Sequence, residues 1–161
     1  MNMKRKPIVV YGLLVLVIGS LLSGCNQGEK TSEESRSSMI QSVDPEATAV
    51  KKGDHDVAEK VKKDVQSVPA IYDVAVIKGK DEILVAYKVK HMQRFHMKKI
   101  EGEINKRLEK KYPKENFIVS SDFKIFIEAI ELKDRMEDKD YSSKDAEERL
   151  KKIIKFKKER T

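Results

Sequence analysis

Residues 7–22 form a run of sixteen without a charge, directly behind the basic cluster Lys4, Arg5 and Lys6. As a helix, at about 1.5 Å per residue, this run spans roughly 24 Å, short of the ~30 Å hydrocarbon core of a bilayer. A basic start, a short apolar centre and small residues at the exit describe a secretory signal peptide over residues 1–24. The cluster stays inside and the downstream chain is sent outward. The leader also limits the fold, because its apolar residues never join a core. The 39% hydrophobic fraction therefore overstates what the rest of the 161 residues can bury. With no Trp, five Phe and five Tyr, the core must be small and mostly aliphatic. One ordinary domain fits in the remainder.

The leader ends Leu22-Ser23-Gly24-Cys25, and Cys25 is the only cysteine in the chain. This resembles the bacterial lipobox, with Leu22 three residues before the cysteine and small Ser23 and Gly24 between. The resemblance implies transfer of a diacylglyceryl group to the Cys25 thiol, followed by cleavage before the modified residue. Membrane lipid on acylated Cys25 is the first expected partner. An acylated thiol leaves no cysteine for disulfides, metal ligation or nucleophilic attack. Cleavage removes Lys4, Arg5 and Lys6, so 34 basic residues become 31 against 27 acidic, and the net charge falls from +7 to +4. Cytoplasmic nucleic acid is out of reach of a domain on the outer face, so the basic balance does not point there.

Residues 25–52 are rich in Gln, Gly, Ser, Glu and Thr and read as a flexible polar tether. Residues 53–136 read as the folded domain. Val57, Ala58, Val61 and Val65 share a helical stripe, closed by Ser67-Val68-Pro69. Residues 71–78 alternate, with Val74 and Val76 on one face and Ala75 and Ile77 on the other. A turn at Lys78-Gly79-Lys80-Asp81 leads into a second strand over residues 83–89. Met97, Ile100, Ile104 and Leu108 predict a helix over residues 93–111. Phe117-Ile118-Val119-Ser120 predicts a third strand, and Ser121 or Asp122 caps a helix bearing Phe123, Phe126, Ile127 and Ile130. The fold class is α+β: a small three-stranded sheet with two to three helices on one face, plus a C-terminal basic helix.

The residues now resemble a known group. A lipobox leader and polar tether precede a helix, then residues 68–77 (VPAIYDVAVI), a turn into Ile83-Leu84-Val85-Ala86-Tyr87, a helix, and Ile118-Val119-Ser120-Ser121-Asp122. The order is similar to the sporulation lipoproteins of the YhcN/YlaJ type, whose domain is similar in outline to the α-β-β-α-β BON module. The resemblance covers residues 54–134. It implies residence at the cell membrane or spore envelope, on the outer face, and a non-enzymatic role in sporulation or germination. No catalytic residue comes with it.

Other candidate chemistry is thin. His91 and His96 lie five apart, about 140° around a helix, so they do not chelate as an i,i+4 pair does. His55 stands alone, and no metal or other cofactor is expected. Ser121-Asp122-Phe123-Lys124 matches S-x-x-K but lacks its companion motifs. Asp138-Lys139-Asp140-Tyr141-Ser142 opens like a calcium loop, yet Ser143 and Arg149 stand where Gly and Glu are required.

Residues 137–161 read as a linker and a basic amphipathic helix. Lys151, Lys152, Lys155, Lys157 and Lys158 suit contact with an anionic lipid surface. Docking of Leu150, Ile153 and Ile154 on the domain is the other reading of the same residues. The sequence thus describes a lipid-anchored envelope protein with a binding or scaffolding role, its partner an anionic lipid or an envelope protein. A small wall-acting hydrolase would need convergent titratable groups that no spacing shows. An accessory subunit of a germination or transport complex would need an exposed apolar patch.

Overall fold

The computed structural model describes residues 43–160, so the leader, Leu22 to Cys25 and most of the expected tether lie outside the described residues. The elements are β1 (Thr48–Ala49), a 3-10 turn (Lys52–Asp54), α1 (His55–Gln66), β2 (Ile71–Lys78) and β3 (Ile83–Val89). A second 3-10 turn (His91–His96), α2 (Met97–Lys111), β4 (Phe117–Ser120), α3 (Phe123–Met136) and α4 (Ser143–Glu159) complete the chain. The expected order helix, strand, strand, helix, strand is present from α1 to β4.

The sheet has four strands in the order β1-β2-β3-β4, not three. β2 and β3 form the antiparallel hairpin, with Val74 opposite Tyr87 and Val76 opposite Val85. β4 runs parallel to β3 and β1 parallel to β2. Each parallel neighbour is reached through a helix, as parallel pairing requires. The added strand comes from the stretch read as tether. Ala47 is 1% exposed, Thr48 pairs with Ile77, and the Val50 amide donates to the Lys78 carbonyl at 2.9 Å. Two residues of β-structure carry no period, which is why polar composition hid them.

Helices cover both faces, whereas one covered face was expected. On the first face Val74, Val76, Val85, Tyr87 and Val119 pack against Ala58, Val61 and Val65 of α1 and Ile100, Ile104 and Leu108 of α2. On the second, Ala75, Ile77, Leu84 and Ala86 pack against Ile125, Phe126, Ala129 and Leu132 of α3. Ala146, Leu150, Ile153 and Ile154 of α4 complete that core. Strands with unbroken apolar runs, as over residues 74–77 and 83–87, need cover on both sides. The α3 stripe also differs from expectation. Phe126 is buried, but Phe123 and Ile127 are 40% and 37% exposed, and the inner positions are Ile125, Ala129 and Leu132. A helix apolar on most of its circumference offers two overlapping stripes, and contact with both sheet and α4 selects between them.

α4 is therefore a core element. Each fully buried Leu or Ile contributes about 1.5–3 kcal/mol. Its start is fixed by Ser142, whose Oγ accepts from the Asp145 amide at 3.1 Å and donates to the Asp145 carboxylate at 2.6 Å. The helix crosses the hairpin turn closely enough that a Cβ on Gly79 would lie 2.5 Å from Leu150 Cδ2.

Candidate functional site

An open cleft of about 750 Å³ lies where α2, the end of β4, the start of α3 and the end of α4 meet. Glu101, Gly102 and Asn105 line it from α2, Ser121 and Asp122 from the β4–α3 junction, and Lys157 and Arg160 from the chain's end. Helix spacing puts Glu101 and Asn105 on one face of α2. Asp122 sits here because it caps α3, its Oδ1 accepting from the Lys124 amide at 2.8 Å. Two ion pairs cross the cleft, Lys157 Nζ to Glu101 at 3.4 Å and Arg160 Nε to Asp122 at 3.3 Å.

Tyr87 is fully buried beside this cleft. Burial, reinforced by the negative charge of Glu101, raises its phenol far above the ordinary tyrosine range, and the neighbouring Ser121 hydroxyl offsets part of the rise. That contact falls short of a well-directed hydrogen bond, so the Tyr87 hydroxyl has no full partner among the described residues. The group is a buried, neutral phenol.

A second polar centre is inside the sheet. Asp73 of β2 and Lys88 of β3 are 0% and 6% exposed and pair at 3.1 Å. Lys88 Nζ also lies 4.8 Å from the centre of the Phe126 ring and 5.1 Å from that of Tyr72. The Asp73 carboxylate accepts from the Val43 amide at 2.9 Å and the Asp44 amide at 3.0 Å. Asp44, at φ 38°, is itself held by Lys62 at 2.9 Å and Gln66 at 2.7 Å. A buried ion pair thus fastens the chain where it enters the fold. The charged residues within two apolar strands were its sequence signal.

The residues singled out from sequence scatter. Of the five tail lysines, Lys151 approaches Asp81 and Glu147, both at 3.8 Å, and Lys155 approaches Glu159 at 3.8 Å. Lys157 and Lys158 pair with Glu101 and with Glu82, the latter at 2.7 Å, while Lys152 lines a small recess with Arg149 and Phe156. They do not form one cationic stripe. Lys124 of the S-x-x-K match lies 4.6 Å over the Phe156 ring. His91 and His96 stand exposed in the 3-10 turn that precedes α2, where a continuous helix from residue 93 was expected.

Sequence reasoning missed that turn's other members. Phe95, read only as part of a helix start, is 93% exposed, and Met92, just before that helix, is 79% exposed. Among the described residues no His, Cys, Asp and Glu side chains group as a metal site, and no helix is long and apolar enough to cross a membrane.

No curated protein and no solved structure matches the chain. The family model for the sporulation lipoprotein YhcN/YlaJ matches residues 25–154, from the lone cysteine to the last buried residue of α4. The chain belongs to the sporulation lipoprotein YhcN/YlaJ family.

Proposed function

We propose that the protein is held on the outer face of the cell membrane, or of the spore's inner membrane, by a diacylglyceryl group on Cys25, and that its domain binds or scaffolds without catalysing. The observation that carries this reading is the start of the family match at Cys25, the only cysteine, directly behind Leu22, Ser23 and Gly24. Two acyl chains suffice for stable retention where one does not. The cleft favours recognition over acid–base work, because Glu101 and Asp122 each face a cation across it. A general base must point a free oxygen at its substrate, and here both carboxylates are engaged by cations.

Mass spectrometry of the protein extracted from spore membranes tests the anchor. Cleavage before Cys25 with a diacylglyceryl adduct is expected, and Cys25→Ala should leave a longer precursor without lipid. An unmodified thiol in the wild type sinks the proposal.

A further inference from the structure

The 3-10 turn His91–His96 exposes two large apolar side chains. A 3-10 helix has three residues per turn, so side chains three apart eclipse. Met92 and Phe95 therefore form one ridge, 79% and 93% exposed, and Met97 follows at 38%. His91 and Arg94 form the neighbouring ridge. Gln93 is the turn's half-buried residue.

The sequence flanking this ridge carries charge of one sign. Between Glu82 and Glu101 the chain carries no Asp or Glu, while Lys90, Arg94, Lys98 and Lys99 are all exposed. Lys99 approaches Glu103 at 3.9 Å, and Lys90, Arg94 and Lys98 have no carboxylate within ion-pairing distance among the described residues. The domain's buried and half-buried lysines are matched, as Lys78 is with Glu115 at 2.6 Å and Lys133 with Glu137 at 2.5 Å. Unmatched cations beside an exposed aromatic suit an anionic, partly apolar surface.

The position of the ridge says which surface. The Lys90 amide donates to the Ala70 carbonyl at 2.9 Å, and Val89 pairs with Ile71. Asp73, two residues further along β2, holds the Val43 and Asp44 amides. The segment leading back to Cys25 thus leaves the domain at the same end of the sheet as the ridge. Eighteen peptide steps separate Cys25 from Val43, a span of at most about 65 Å at ~3.6 Å per residue. The anchor keeps this end of the domain within reach of the bilayer.

We infer that Met92 and Phe95 insert at the headgroup–acyl boundary of an anionic membrane, with Lys90, Arg94, Lys98 and Lys99 at phosphate level. The inference rests on the lipid-anchored reading and names the partner of that domain. Apolar insertion combined with basic flanks is the way interfacial segments hold anionic leaflets. The domain then lies with its β2-start end on the membrane, and the cleft shares Met97 and Lys98 with that contact.

The test uses the mature chain, residues 25–161, with Cys25→Ser, so that no acyl chain contributes. Its partitioning is measured on phosphatidylcholine vesicles with and without a third of phosphatidylglycerol. The wild-type surface should bind the anionic vesicles, weaken as salt screens it, and ignore the neutral ones. Met92→Ser with Phe95→Ser should lower partitioning about tenfold, while the melting temperature stays unchanged. Lys151→Gln with Lys155→Gln should leave partitioning within about twofold. Equal binding by the Met92/Phe95 variant, absence of binding to anionic vesicles, or capture of an acidic polypeptide in place of vesicles would overturn the inference. The Cys25 adduct is read separately on the native protein, so a missing lipid and a missing membrane contact are distinguishable.

Discussion

The two ends of the sheet are built on opposite principles. At the hairpin end, charges and side chains are matched at close range. Glu147 accepts from the Lys80 amide at 3.0 Å, Lys158 meets Glu82 at 2.7 Å, and the Asn116 amide donates to the Asp81 carbonyl at 3.1 Å. Leu150 fills the space above Gly79. At the other end the cations Lys90, Arg94 and Lys98 have no acid to meet among the described residues, and Phe95 projects into solvent. Matched contacts at one end close the core, and unmatched ones at the other leave an edge available to a partner. Stability and recognition are therefore expected to separate in space.

The largest expected effect breaks the matched end. Leu150 is 1% exposed, so Leu150→Asp buries an unpaired charge and should cost more than about 4 kcal/mol, enough to unfold the domain. Deleting the chain after Tyr141 should do the same by uncovering Ala75, Ile77 and Leu84. A circular-dichroism melt of Leu150→Asp at the wild-type temperature would show that α4 is dispensable and that the ends do not differ.

A middle-sized effect sharpens the contrast. Gly79→Ala drives a methyl into Leu150 Cδ2 and should cost about 1–3 kcal/mol by urea titration. Adding Leu150→Ala makes room, so the double variant should lose less than the sum of the single ones. Strict additivity would mean that the hairpin and α4 do not press on each other.

The smallest effect is at the open end, where Asp44 helps hold the incoming chain. The hydrogen bond from Lys62 holds the Asp44 carboxyl below its ordinary 3.8, against a modest opposing effect of burial. A depressed folded value contributes stability above the unfolded one and loses it as pH falls through the folded one. Asp44→Asn tolerates the same left-handed backbone and removes only the charge. The variant should be less stable by a few tenths of a kcal/mol at neutral pH, since the carboxylate is largely exposed. The gap should close below about pH 3.8. A gap that persists in acid would assign the effect to packing.

Much of the fold was legible because it follows periods. Val74 and Val76 against Ala75 and Ile77, and Ile100, Ile104 and Leu108, lie where alternation and helical spacing put them. What escaped depends on distance in space. β1 is two residues long and recognisable only by its partner Ile77. α4 read as a tail because its seven basic residues outweigh four buried apolar ones. Asp73 and Lys88 are ordinary polar residues in a strand until the fold brings them within 3.1 Å. The ridge of Met92 and Phe95 escaped because the helix was expected to begin at residue 93, after Met92, and its stripe was read only from Met97 onward.

On the anchoring proposed above, the fastening of Val43 and Asp44 to Asp73 has a mechanical meaning. A tug on the upstream chain arrives first at two amide–carboxylate contacts on β2, ahead of β1 and α1. Behind that carboxylate stands Lys88 of β3, so the pull passes sideways into the central hairpin before it can peel the short edge strand. The load enters at the central antiparallel pair of strands and not at the two-residue edge strand.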